Sequence, residues 1–205
     1  MWPFIFFFLS VLFLSRIVGL TTTKKGKGNA GEMVVSHFLK KLDKEKYFVL
    51  NDITLKLNGF TSQIDHIVVS CYGIFVIETK NWEGSIYGGS KRDYIFQYLG
   101  GVKYTHLNPF KQNIGHIKFL RDVLSNYNDL KFISIVAFGG YSKRKINGDT
   151  SIKISEIVDT IEGYKEEVIS EIDRDLIYTK LNRLKMEGEG YKEEHIENVR
   201  RRYGR

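Results

Sequence analysis

Two carboxylates and an amine, Asp65, Glu78 and Lys80, could be brought together by one short stretch of this chain, QIDHIVVSCYGIFVIETK from Gln63 to Lys80. If Asp65 and Glu78 face each other on neighbouring strands, their Cβ atoms lie roughly 5 Å apart, and the like charges cost stability unless something positive sits between them. A divalent cation removes that cost. Hard ions such as Mg2+ take a pair of carboxylates together with water and phosphate oxygens, and a nearby lysine can orient or deprotonate a water. That is the chemistry of metal-assisted phosphodiester hydrolysis. The plainer alternative is that Glu78 and Lys80 form a surface ion pair at a strand end, worth well under about 1 kcal/mol.

The stretch itself predicts a β-hairpin. Residues 64–70 and 74–80 are rich in β-branched and aromatic side chains, and Cys71-Tyr72-Gly73 supplies the turn. Alternation along the second strand puts Ile74, Val76, Glu78 and Lys80 on one face and Phe75, Ile77 and Thr79 on the other. With an even loop Ser70 faces Gly73, and counting outward sets Asp65 opposite Glu78. An odd loop with a bulge breaks that register. Strict alternation also places Gln63 on the Asp65 face, where its amide could meet substrate or water or pair along the sheet edge. His66 falls on the other face and reads as a packed or hydrogen-bonded residue outside the site.

Several motifs in order carry a resemblance: Gly31-Glu32, Asn51-Asp52, QIDHIVV from Gln63, GIFVIETKN from Gly73, and Asn108-Pro109 with Gln112-Asn113 and His116. Together they resemble the nuclease-related domain, NERD, which is assigned to the PD-(D/E)XK nuclease superfamily. The likeness spans roughly residues 28–124. It implies an α/β fold with a mixed central β-sheet flanked by helices, a restriction-endonuclease-like core. It also implies Mg2+, with Mn2+ as a substitute, held by Asp65, Glu78 and the Thr79 carbonyl, while Lys80 orients the attacking water. Glu32 is similar to the helical acidic residue that the superfamily often sets beside the metal, although Asn29 and Glu32 also have the spacing of a helix cap and its reciprocal partner. Gln112 would help to position substrate; otherwise it is a polar residue at the core margin.

At 205 residues the chain suits one domain with appendages, and a composition 42% apolar and 27% charged is that of a folded protein. One cysteine, Cys71, excludes an internal disulfide and gives no thiolate zinc site. The formal charge of +7 favours a polyanionic partner or an acidic membrane surface. Residues 2–20 are almost wholly apolar apart from Arg16, long enough for a single transmembrane helix. No basic residue precedes them, and no small-residue cleavage signature follows, which favours an uncleaved anchor over a signal peptide. Arg16, Lys24, Lys25 and Lys27 then place the C-terminal side in the cytoplasm.

In chain order the expectation is an anchor at 1–20, a basic flexible linker at 21–28, a NERD domain at 29–155, and a helical cover with a charged tail at 156–205. Asn29 opens the first helix. Strands are expected at 47–50, 53–57, 85–87, 94–98 and 132–138, with an edge strand at 151–154. Asn58-Gly59 reads as a turn, and Asn108-Pro109 as a capped helix start whose buried face is Phe110, Ile114, Ile117 and Leu124. Residues 142–145 read as a basic loop. The glycine pairs 88–89 and 100–101 lack the context of a phosphate-binding loop. The reading is therefore a membrane-anchored, metal-dependent nuclease acting on DNA. The alternatives are a catalytically silent nucleic-acid binder or a membrane-tethered interaction module on the same scaffold.

Overall fold

The computed structural model describes residues 24–140, 142–147, 151–186 and 197. Helix α1 (Lys24–Leu39) leads into a meander of β1 (Tyr47–Leu57), β2 (Phe60–Ser70) and β3 (Gly73–Lys80). Then come β4 (Gly84–Gly89), β5 (Tyr94–Leu99), β6 (Val102–Leu107), helix α2 (Pro109–Val123), β7 (Phe132–Phe138), β8 (Ser142–Asn147) and β9 (Ser151–Lys153). A 3-10 turn (Ile154–Glu156) precedes α3 (Ile157–Glu162) and α4 (Glu171–Leu184). The fold is mixed α/β, as expected, but the strands divide into two sheets, β1-β2-β3-β7-β9 and β6-β5-β4-β8. In the first, β1, β2 and β3 are antiparallel, and β7 and β9 add in parallel beyond β3.

The first sheet is buried on both faces. Ile67, Val69, Ile74 and Val76 pack against Leu120 and Val123 of α2 and Ile177 and Leu181 of α4. Val68, Phe75 and Ile77 pack on the opposite side against Val35 and Leu39 of α1 and Ile157 and Ile161 of α3. Isoleucine and valine fill the central strands because a doubly covered sheet leaves no face for polar residues. Ile86 and Ile95 of the second sheet meet Val136, Phe138 and Phe110 in a third cluster, which joins the sheets. The C-terminal helices thus cover the sheet as expected. Within α4, however, Ile177 and Leu181 face inward, while Ile172 and Leu176 are exposed.

Local sequence explains most boundaries. Asn58 and Gly59 both take positive φ, 50° and 79°, the left-handed pair that a two-residue hairpin turn needs. Asn108 caps α2 by accepting from the Phe110 N–H at 3.0 Å, with Pro109 in the first turn. Other boundaries differ from expectation. The helix assigned to begin at Asn29 already runs from Lys24, so Asn29 is no cap, and part of the expected linker is helical. The two strands expected at 47–50 and 53–57 are one, because Asp52 adopts φ 45° inside an unbroken register. The basic 142–145 segment is strand β8, parallel to β4; ladder bonds come from the backbone and do not require apolar side chains. Ile114 is exposed and Asn113 takes the buried place on α2. No helix among the described residues is long and apolar enough to cross a membrane, and the expected anchor at 1–20 lies outside them.

His66 is 2% exposed, with Nδ1 2.7 Å from Asn51 Oδ1. Burial pushes its imidazole from 6.5 down to about 4. The folded chain therefore binds this proton more weakly than the unfolded chain does. Stability is full above the unfolded value and falls as pH drops towards the folded one, by about 3 kcal/mol from this group. The difference in denaturant midpoint between wild type and His66→Gln, followed from about pH 7 to pH 4 in chelator, should show that loss. An identical profile in the variant would contradict it.

Candidate active site

The β2–β3 turn sets the site. The ladder runs from Ser70 opposite Gly73 to His66 opposite Ile77, the even register, so the next rung brings Asp65 to Glu78. There a side chain replaces the backbone bond: the Thr79 N–H donates to Asp65 Oδ2 at 2.8 Å. On its other edge β3 pairs with β7, and Lys80 O accepts from the Gly139 N–H at 2.9 Å. Carbonyls alternate direction along a strand, so that of Thr79 faces the β2 side, where Asp65 lies.

Glu78 is 1% exposed. Its Oε1 accepts from Lys80 Nζ at 2.5 Å, and Oε2 lies 3.4 Å from His116 Nε2 on α2, within ion-pair range though without hydrogen-bond alignment. Burial acts to raise the Glu78 carboxyl, but Lys80 and His116 outweigh it and hold the group below its usual range. Lys80 responds in kind. Burial would lower its amine, yet Glu78, with help from Asp65 and Glu32, holds it above the ordinary lysine value. Asp65 is the strained partner: burial raises its carboxyl well above the usual range, the Glu78 charge adds to this, and the Thr79 N–H and Lys80 offset only part.

The other expected residues divide. Glu32 is half-buried on α1, and its charge acts on both Asp65 and Lys80. It reaches the site because Gly31 lets α1 sit close on the end of β3; a Cβ there would lie 2.7 Å from Asn81 Cβ. Gln112 is exposed on α2, and its Oε1 lies 3.4 Å from Lys80 Nζ. Gln63 donates from Nε2 to Asp52 Oδ1 at 2.7 Å, a side-chain pairing between β2 and β1. Strict alternation fails here. Leu50, Ile53 and Leu55 on β1, and Ile64, Ile67 and Val69 on β2, all enter one cluster, so each strand skips a residue near Asp52 and Asp65. Gln63 and Asp65 therefore do not share a face by simple counting. His116 joins the site instead, braced by Ser62 Oγ 2.8 Å from its Nδ1. Its place four residues after Gln112, one helical turn on, was the available signal.

Beneath the site lies Asn113, fully buried. Its Nδ2 donates to Val76 O at 2.8 Å, to Ser134 Oγ at 2.9 Å and to Ile135 O at 3.2 Å, tying α2 to β3 and β7. This fixes the depth at which α2 presents Gln112 and His116.

The model of the nuclease-related domain family matches residues 27–139, more than half of the chain. The chain belongs to the NERD family. NERD domains are placed in the PD-(D/E)XK superfamily, and the NERD match takes in Glu32, both carboxylates, Lys80, Gln112 and His116. A protein of Bacillus anthracis described as uncharacterized is 33% identical over 187 residues, 88% of this chain and 87% of that one. No solved structure matches the chain.

Among the described residues no group of three or more His, Cys, Asp or Glu could enclose a metal on its own. A cation at this NERD site would rest on Asp65, Glu78 and the Thr79 carbonyl, with water or substrate oxygens completing the shell, as suits Mg2+. Two observations fit such an ion: the buried Glu78 Oε2 has no hydrogen-bond donor, and the Asp65 carboxyl is pushed up beside a second carboxylate. Because the folded-state value of Asp65 is raised, its contribution to stability is full at low pH and is lost as pH rises through that value. Asp65→Asn should therefore raise the melting temperature in chelator, increasingly so at higher pH. A lower melting temperature across the range would contradict this.

Proposed function

We propose that this chain is a metal-dependent nuclease that hydrolyses phosphodiester bonds in DNA, held at the membrane by residues 2–20 with its C-terminal domain in the cytoplasm. The observation that carries the reading is the closure of Asp65, Glu78 and Lys80 around the end of the β2–β3 ladder, with Oδ2 of Asp65 2.8 Å from the Thr79 N–H and Oε1 of Glu78 2.5 Å from Lys80 Nζ. A bound divalent cation would supply neutralisation of the two carboxylates and polarisation of the scissile phosphate.

The chain's own groups do the rest. Glu78 holds Lys80 protonated, so the ammonium donates hydrogen bonds, orients the attacking water and stabilises charge developing on the phosphate, rather than taking a proton. Gln112 bears on the Lys80 amine from α2, and His116 stands within ion-pair range of the second oxygen of Glu78. Glu32 adds negative charge that acts on both Asp65 and Lys80, which favours a cation further. The formal charge of +7 suits a polyanionic substrate.

The test is to incubate the full chain with end-labelled single-stranded and duplex DNA and RNA, in Mg2+, in Mn2+ and in chelator. Cleavage of DNA that requires the metal is the expected result. Intact substrates under every condition would overturn the reading.

A further inference from the structure

We infer that the outer face of the second sheet is a platform for single-stranded DNA, separate from the carboxylates and independent of metal. Strand pairing defines the face. Phe96 on β5 is opposite Tyr87 on β4 and Thr105 on β6, Tyr98 is opposite Lys103, and Tyr87 stands beside Lys145 on β8. Paired residues point to the same side of a sheet. The other side is spoken for, since Ile86 and Ile95 are fully buried in the cluster with Val136 and Phe138.

The outward side chains are of two kinds. Tyr87, Tyr94 and Tyr98 are exposed aromatics, and Phe96 is half-buried between them. Lys103, Lys143 and Lys145 are exposed cations, with Lys103 Nζ 4.0 Å above the Phe96 ring. Tyr87 and Tyr98 meet edge-on, with ring centroids 5.5 Å apart. Beside them, Lys91 and Arg92 join Tyr87, Phe96 and Lys145 around an open cleft of about 420 Å3. No acidic residue occupies any of these outward positions.

Rings interleaved with cations suit an unpaired polynucleotide, whose bases stack on aromatics while its phosphates meet lysines. Duplex DNA keeps its bases stacked on one another and leaves such rings without a partner. The sheet follows the candidate active site directly in the chain, since β4 begins four residues after Lys80. The platform goes beyond the cleavage reading, because its binding needs neither Glu78 nor a metal.

The experiment measures binding of the full chain, in neutral detergent and chelator, to a fluorescent oligo-deoxythymidine and to a duplex of equal length. Tighter binding of the single strand is expected, weakened about tenfold by Tyr98→Ala and restored by Tyr98→Phe. The pair Lys143→Gln and Lys145→Gln should lower the salt slope by about 1.4, whereas Lys118→Gln with Lys180→Gln should leave it nearly unchanged. Tighter binding of the duplex or of the matching RNA would overturn the inference. So would equal losses in both lysine pairs, or adsorption to phosphatidylglycerol vesicles without oligonucleotide binding. Glu78→Gln should bind like wild type, so failed cleavage and failed binding remain distinguishable.

Discussion

Glu78→Gln is expected to lower the rate of metal-dependent cleavage by about 10^3-fold or more while leaving the fold in place. The two side chains have nearly the same shape, so packing in this 1%-exposed position is retained. What disappears is the charge. In the proposed mechanism Glu78 would be a cation ligand beside Asp65, and it is the anion paired with Lys80. Its loss removes a cation ligand and unbalances the lysine in one step, and these effects act on the same transition state, so they will not add as independent terms. Single-turnover cleavage at saturating substrate, with circular dichroism as the control for folding, measures the outcome. A folded variant within tenfold of wild type would contradict the assignment.

Asn113→Ala is expected to cost about 3 kcal/mol of stability. The amide donates to carbonyls of both β3 and β7 and to Ser134 Oγ, so truncation leaves buried acceptors without a donor as well as a void. Asn113→Asp keeps the volume but aims a carboxylate at two carbonyls, and it should be at least as damaging. Equilibrium urea unfolding in chelator separates the cases. A loss below about 1 kcal/mol for both variants would show that α2 is held mainly by Leu120 and Val123.

The hairpin at the heart of the site was legible because two apolar runs flank a turn, a local pattern, while its register stayed open between an even and an odd loop until the pairing of Ser70 with Gly73 settled it. The caps and turns were legible for the same reason: Asn58-Gly59 and Asn108-Pro109 act through their own backbone angles. The pairing of Gln63 with Asp52 was not legible because period-2 counting assumes an unkinked strand, and Asp52 takes a left-handed φ where the paired rungs of β1 and β2 are interrupted. Two strands of the second sheet were anticipated, but β8 was hidden by composition: it reads SKRKIN, whose basic residues resemble a solvated loop until the parallel pairing with β4 supplies the backbone bonds. Asn113 looks like any polar helix residue in the sequence. Its importance depends on the carbonyls of two strands distant along the chain, which local patterning does not record.

The most direct test of the central claim is a Mn2+ titration of the full chain followed by electron paramagnetic resonance, comparing wild type with Asp65→Asn and Glu78→Gln. The expected result is a saturable Mn2+ site in the wild type that competes with Mg2+ and is lost or greatly weakened in both variants. Equal Mn2+ binding by all three proteins would contradict it, because the two carboxylates would then not be what holds the metal.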